Sequence, residues 1–418
     1  MKIYLVGGAI RDALLGRAVT EQDWVVVGAT PQALLTLGYR SVGKEFPVFL
    51  HPETQEEYAL ARVERKTAPG YHGFDFVFDS TVTLEEDLSR RDLTINAMAQ
   101  NVETQEIIDP YGGLQDLNKK LLRHVTEAFQ EDPVRILRVA RFAARYHALG
   151  FTVAPETMQL MTKMVEAGEA NALIPERVWK ETARALLEPN PHVYLQVLRA
   201  CGALKIIFPE IDALYGVPQP PKHHPEVDCG IHAELVLQQA AILSQELPVR
   251  FAALCHDLGK AKTPQDILPS HHGHEMRSKR LTLQLCQRLK VPNELRDIAV
   301  YVAEYHGLAH SAFSLKPTTI LKLFEAGDCF RQPKKLEWFL LACDADSKGR
   351  TGFEQRPYVQ VDYLRKLFQA AQSISAQEVI AKLPSPSTGP KIKEAIQKAR
   401  IYAIQQVKAD ENAADPKQ

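Results

Sequence analysis

Two carboxylates, Glu21 and Asp23, stand two residues apart at the entrance to the apolar run Trp24-Val25-Val26-Val27. On a strand that spacing points both to one face. Just upstream, Leu5-Val6-Gly7-Gly8-Ala9-Ile10-Arg11-Asp12 reads as strand, glycine turn and helix. Glycines at 7 and 8 let backbone N–H groups approach a phosphate, and a helix start adds a favourable dipole. Paired carboxylates beside a phosphate cradle can hold two divalent ions for in-line phosphoryl transfer. No Lys-Ser/Thr follows the glycines, which excludes a P-loop. Arg11 stands where the dinucleotide fingerprint needs its third glycine. A helix start with an exposed acidic turn would present the same residues.

Two arginine elements follow. Ser89-Arg90-Arg91-Asp92-Leu93-Thr94-Ile95-Asn96-Ala97 sets two arginines beside an acid ahead of what reads as an apolar helix. Arginine can fork two donors onto one phosphate, although a surface ion pair at a helix start looks alike. After Asp132, Arg135, Arg138, Arg141 and Arg145 recur at helical spacing with no lysine among them. Glu131-Asp132 lies one turn before Arg135. A carboxylate and an arginine so placed can read donor and acceptor edges of a base, with the other arginines reaching a triphosphate. A solvated basic face on an amphipathic helix remains the alternative.

A third constellation is histidine-rich. Nine of the fourteen histidines lie between His223 and His310. His256-Asp257 follows the apolar run Phe251–Cys255, His232 stands upstream, and His271, His272, His274 and His306 follow, then Asp344 and Asp346. Imidazole and carboxylate together suit a divalent metal with open positions for water and phosphate. Adjacent His and Asp can serve one ion or bridge two.

Several elements must position these groups. Strand signals concentrate in the first ~110 residues: Ile3–Val6, Trp24–Val27, Val48–Leu50, Tyr58–Val63 and Glu106–Ile108. From Asp132 the pattern is helical, with Asp132-Pro133 as a helix start. The run from Val217 to Pro225 is proline-rich and reads as the clearest linker, with a second break near Lys316-Pro317. The expected division is a head over 1–142, a helical neck over 143–225, the histidine domain over 226–330 and a helical tail over 331–418.

Composition bounds the answer. At 418 residues and net charge −1, neither a nucleic-acid partner nor its absence follows from bulk charge. Six scattered cysteines without a CxxC pair argue against a disulfide framework or zinc ribbon and suit a reducing compartment. No run approaches the ~20 apolar residues of a membrane span, and no signal peptide is read, so a soluble cytoplasmic protein is expected.

In order, the motifs GGAIRD, the carboxylate pair, RRDLTINA, DPYGG at Asp109–Gly113, EDPVRILRVARF at Glu131–Phe142 and CHDLGK at Cys255–Lys260 resemble the bacterial CCA-adding enzymes, class II tRNA nucleotidyltransferases. The likeness covers nearly the whole chain and is nearest to the multifunctional members with a C-terminal HD phosphohydrolase domain. It implies an α+β fold: a small nucleotidyltransferase α/β head of the DNA polymerase beta type, then an all-α body and an all-α HD domain. It also implies template-independent addition and repair of the 3′-terminal CCA of tRNA from CTP and ATP. Gly8, Arg11, Arg91, Asp132, Arg135, Arg138 and Arg141 match nucleotide contacts, with Asp132 and Arg135 as the base-selecting pair. Glu21 and Asp23 match the Mg2+ ligands, although Glu21 replaces the usual aspartate, and Glu57 is the expected third carboxylate. In the HD domain the resemblance points to His232, His256, Asp257, one or more of His271, His272 and His274 with His272 put first, and Asp346 as ligands of Ni2+ or another divalent metal. The activities it implies there are 2′,3′-cyclic phosphodiesterase, 2′-nucleotidase and phosphatase. Lys119, Lys120 and Arg123 are candidate tRNA contacts. Partners are thus tRNA, CTP and ATP but no membrane, with monomer and homodimer both open. A poly(A) polymerase, an HD signalling hydrolase and a non-catalytic tRNA-binding protein are the rivals.

Overall fold

The structure, a computed structural model, describes residues 1–42, 48–66, 74–77, 80–384 and 386–414. The chain divides into two compact units, Met1–Ile207 and Phe208–Gln418.

The first unit opens on a seven-stranded mixed sheet. Its strands are β1 (Lys2–Val6), β2 (Asp23–Val27), β3 (Arg40–Val42), β4 (Val48–Leu50), β5 (Glu57–Leu60), β8 (Ala99–Asn101) and β9 (Ile107–Ile108), in the order β3-β4-β5-β2-β1-β8-β9. A separate ribbon pairs β6 (Val63–Lys66) with β7 (Phe74–Val77). Both faces of the sheet are covered. Tyr4, Val6, Val25, Leu88 and Ala99 form one core, and Val26, Leu34, Phe49, Tyr58 and Leu60 the other. That is why β2 reads as an unbroken apolar run rather than an alternating one.

Register fixes the chemistry. β1 runs antiparallel to β2 with Val6 opposite Asp23, and β2 runs parallel to β5 with Asp23 opposite Glu57. The glycine turn and two carboxylates therefore share one end of the sheet. The strand expected over Tyr58–Val63 divides at Ala61-Arg62 into β5 and β6. β3, β7 and β8 escape the sequence reading. The apolar helix expected after Arg91 is a single turn, Thr94–Asn96, because Ala97 to Ala99 are fully buried and run into β8, which pairs with β1.

Helices complete this unit: Val134–Tyr146, Pro155–Glu166, Pro175–Leu187 and Pro191–Ala200. Three of them begin on proline, whose fixed φ and missing N–H suit the first helical position. Helix Val134–Tyr146 runs through the boundary expected at residue 142 and buries Ile136, Leu137, Val139, Ala140, Ala143 and Ala144.

The second unit is helical, with Cys229–Leu243, Leu247–Cys255, His274–Arg288, Asn293–His310, Pro317–Ala326, Lys334–Lys348, Gln360–Gln372 and Gly389–Ala414 as its main elements. Gly259 lies against the backbone of His274 and Ser278, where a Cβ would collide, and donates its N–H to Ser278 Oγ at 2.8 Å. This close approach brings the His256-Asp257 turn up to the start of helix His274–Arg288. The proline-rich run over 217–225 falls within this unit and is pinned to it. Gln219 is buried and accepts from Lys260 Nζ at 2.7 Å, and Pro218 bridges to Asp228. No described helix is long and apolar enough to cross a membrane.

Candidate nucleotide cleft and metal centre

The first unit carries a cleft of about 760 Å³, within the size range of small-molecule sites. Gly7, Gly8, Glu21 and Asp23 line one part, and Asp132, Arg135, Arg138, Arg141 and Arg177 another. Gly7 has φ +71°, and a Cβ there would lie 2.9 Å from Arg91 Nη1, so only glycine fits the turn. Its own N–H bonds to the Met98 carbonyl at 3.1 Å. The phosphate cradle is thus left to the N–H groups of the following helical turn, Gly8 onward. Glu21 precedes β2 rather than lying on it, and both Glu21 and Asp23 are exposed. Glu57, opposite Asp23, is also exposed and faces an adjoining hollow with Asp23 and Arg62. Oxygen-only donors of this kind fit Mg2+, which keeps several waters and substrate oxygens when bound.

The arginines are held rather than loose. Arg11 is buried, forks onto Asp12 at 3.0 and 2.9 Å, and sits over Phe142 and Tyr146. Burial opposes ionisation of Asp12, but the Arg11 bonds and charge outweigh it and hold the carboxyl below its ordinary range. Arg91 reaches Asp87 at 3.2 Å, and its Nε is buried without a hydrogen bond. Arg135 donates to the carbonyls of Ala128 and Arg90, each at 2.6 Å. Arg138 meets buried Asp92 at 2.6 Å. Burial disfavours the Asp92 anion, yet Arg138 and Asn96 hold its carboxyl well below the usual range. Arg141 meets buried Glu181 at 2.8 Å. Asp132 is gripped by Arg177 at 3.1 and 2.7 Å. Sequence reasoning missed Arg177, whose partner lies 45 residues away. Among the candidate tRNA contacts, Arg123 is ion-paired with Asp116 and Glu156.

The second unit gathers its histidines around two carboxylates. His232, His256 and Asp346 could share one ion, and Asp257, His274 and His306 another. His232 Nε2 lies 3.1 Å from Asp346 Oδ1, and His256 Nε2 lies 3.1 Å from Asp257 Oδ2. Asp257 Oδ1 faces His274 and His306 at 3.2 and 3.5 Å. His256 Nε2 and Asp257 Oδ1 are buried, and neither makes a hydrogen bond of good geometry. Ligand atoms converging on a cation behave in this way, so the residues fit a divalent ion. Burial would depress the His256 imidazolium, but Asp257 and Asp346 raise it to about 10. The neighbouring carboxylates thus demand positive charge, part of which Lys260 supplies at 2.6 Å from Asp257.

Around these ligands lie residues that sequence reasoning did not single out. His232 Nδ1 bonds to the Gly349 carbonyl at 3.1 Å, with Glu226 Oε1 3.0 Å from the same nitrogen, which turns Nε2 toward Asp346. His310 bonds Asp346 Oδ2 at 2.7 Å and Tyr358 at 2.9 Å. His272 is exposed and belongs to neither ligand group, whereas His274 and His306 do. Its ring lines a neighbouring hollow with His223 and Lys260. Asp344 pairs with Lys348.

Comparison with known proteins agrees with this division. The poly A polymerase head domain model matches residues 3–123, the probable RNA and SrmB-binding site of polymerase A residues 150–215, and the HD domain residues 230–330. The molecule is thus a nucleotidyltransferase head joined to an HD domain. The multifunctional CCA protein of Thioalkalivibrio sulfidiphilus is 60% identical over 410 residues, 98% of this chain and 99% of that protein. The chain therefore belongs to the family of bacterial multifunctional CCA-adding enzymes. Among solved structures, the Bacillus stearothermophilus CCA-adding enzyme in complex with CTP is 25% identical, with a TM-score of 0.61 over 97% of this chain and 89% of that one. The Thermotoga maritima CCA-adding enzyme complexed with tRNA shares the fold at 19% identity and a TM-score of 0.61, over 98% and 91%.

Proposed function

We propose that the first unit adds C, C and A to the 3′ end of tRNA without a nucleic-acid template, taking CTP and then ATP. The carrying observation is a single cleft that joins the glycine turn and the carboxylates to the Asp132/Arg135 pair. Mg2+ held by Glu21 and Asp23, with Glu57 beside them, would activate the tRNA 3′-hydroxyl and neutralise the departing pyrophosphate. The chain's own residues do the rest. Gly8 and the N–H groups after it, with Arg11 and Arg91, take the nucleotide's phosphates. Arg138 and Arg141, fixed by Asp92 and Glu181, complete the basic wall. Asp132 accepts from the exocyclic amine of cytosine or adenine. Uracil and guanine carry an oxygen acceptor there and are refused. Arg135 supplies the complementary donor from a guanidinium locked by two carbonyls.

For the second unit the proposed activity is hydrolysis of phosphoesters: 2′,3′-cyclic phosphates, 2′-nucleotides and phosphomonoesters. Ni2+ or another divalent metal would supply hydroxide near neutral pH when bound. His232, His256, Asp257 and Asp346 are the proposed ligands, with His274 and His306 rather than His272 completing the set. Glu226 orients His232, and Lys260 places a cation where a phosphate would arrive. Cleaned 3′ ends would then suit extension.

The decisive experiment incubates the protein with Mg2+, CTP, ATP and a tRNA lacking its CCA, then sequences the 3′ ends. Ends restored to CCA without further growth are expected. A growing ladder in ATP alone would instead indicate a poly(A) polymerase.

A further inference from the structure

We propose that Arg177 is the positioning residue that aims the Asp132 carboxylate and thereby sets the preference for bases bearing an exocyclic amine. The inference rests on the reading of Asp132 and Arg135 as the base-selecting pair. It is carried by a difference in how the two are held. Arg135 projects from the first turn of helix Val134–Tyr146, and two backbone carbonyls fix its guanidinium. Asp132 lies just before that helix, on extended backbone after the turn Glu127–Glu131. Its Oδ1 accepts the Val134 N–H at 3.1 Å, which anchors one oxygen but leaves the carboxylate plane free to swing.

Arg177 removes that freedom. It stands in the first turn of helix Pro175–Leu187, 45 residues away in sequence. Its Nη1 meets Oδ1 at 3.1 Å and its Nη2 meets Oδ2 at 2.7 Å. A planar fork on a planar carboxylate fixes orientation as well as charge, which a lysine ammonium cannot do. Side-chain exposure of 30% for Arg177 and 24% for Asp132 leaves the pair facing the cleft that both line.

A count of acceptor sites gives the selectivity. An ionised carboxylate offers about four lone-pair directions and no donor. Arg177 takes two and the Val134 N–H a third. The direction left over receives one N–H from the base. Cytosine and adenine each present an amine, whereas uracil and guanine present a carbonyl oxygen.

The test compares Arg177→Met, Arg177→Lys and Asp132→Asn in single-turnover addition. A tRNA lacking CCA is offered CTP or UTP, and one ending in CC is offered ATP or GTP. In Arg177→Met the C-over-U and A-over-G ratios of kcat/KM are expected to fall about tenfold. Inhibition by pyrophosphate should not change, because the phosphate contacts remain. Arg177→Lys should recover only part of each ratio. A merely structural role would weaken all four nucleotides equally and leave the ratios intact, which would overturn the proposal. So would unchanged ratios in both Arg177 variants while Asp132→Asn loses discrimination. Unchanged ratios in Asp132→Asn as well would overturn the base-reading assignment beneath it. If Arg177→Met proves insoluble, the ratios of Arg177→Lys decide alone.

Discussion

The two candidate metal sites are built on opposite plans. Glu21, Asp23 and Glu57 stand exposed at the end of a sheet. His232, His256 and Asp257 are 0%, 1% and 3% exposed, and their outward atoms are tied to Glu226, the Ala253 carbonyl and Lys260. Exposed carboxylates alone hold a hard cation weakly and need the substrate's own phosphates to finish its coordination. A buried set of imidazoles and carboxylates, each oriented by a neighbour, is preformed and demands a cation before any substrate arrives. The first plan suits an ion that comes and goes with each nucleotide, the second an ion that stays.

The largest effects should separate the two sites cleanly. Asp23→Ala should lower nucleotide addition on the order of 10²–10³-fold, read by single-turnover extension of a tRNA lacking CCA. Phosphoester hydrolysis by the same protein should be unchanged, and a joint loss would break the comparison. His256→Ala should do the reverse, lowering hydrolysis of a 2′,3′-cyclic phosphate by on the order of 10²-fold or more and keeping addition. Metal analysis after gel filtration then asks which ion stays. Wild-type protein and Asp23→Ala should retain divalent metal, whereas His256→Ala should not. Retention by His256→Ala, or none by wild type, would mean that the buried set is not a resident site. Glu57→Gln should cost addition about tenfold, less than Asp23→Ala, because only Asp23 lines the main cleft as well.

The same contrast explains what was legible in the sequence. The α/β head and helical remainder followed from periodicity, and Gly7, Gly8, Asp23 and the arginine helix announced themselves by close spacing. Residues whose roles depend on distant partners did not. Arg177 reaches Asp132 from another helix, and His310 reaches Asp346 from 36 residues away. Glu226 was hidden directly behind a proline-rich run that reads as a linker, because composition cannot reveal that the run is pinned by Gln219 and Lys260. His272 and His274 differ by two positions. Only the helix start at His274, packed against Gly259, decides which ring meets Asp257. β8 hid behind Arg91 because Ala99, Gln100 and Asn101 carry no strand signature, and their pairing with β1 is a tertiary fact.

A buried histidine without carboxylates supplies the smallest and most discriminating test. His192, on helix Pro191–Ala200, has its Nδ1 buried without a hydrogen-bond partner, and its aromatic neighbour is His147 at a ring separation of 6.0 Å. Burial, with the His147 charge beside it, pushes its pKa down to about 4 from an ordinary 6.5. His256, more deeply buried but flanked by Asp257 and Asp346, moves the other way. The sign of the consequence is fixed by linkage. Above pH 6.5 His192 is neutral whether the chain is folded or not, and it leaves stability untouched. As pH falls from 6.5 toward 4, the unfolded chain takes up a proton that the folded chain refuses, so stability drops across that window. Below about 4 both states are protonated and the loss is complete. His192→Phe removes this one titration and leaves every carboxylate in place. The difference in thermal midpoint between wild type and variant should therefore shift in the variant's favour between pH 6.5 and 4 and be flat above 6.5. A difference that stays constant through the window would show that His192 protonates freely in the folded chain. Burial alone would then not distinguish the histidines of this unit from those gathered around Asp257 and Asp346.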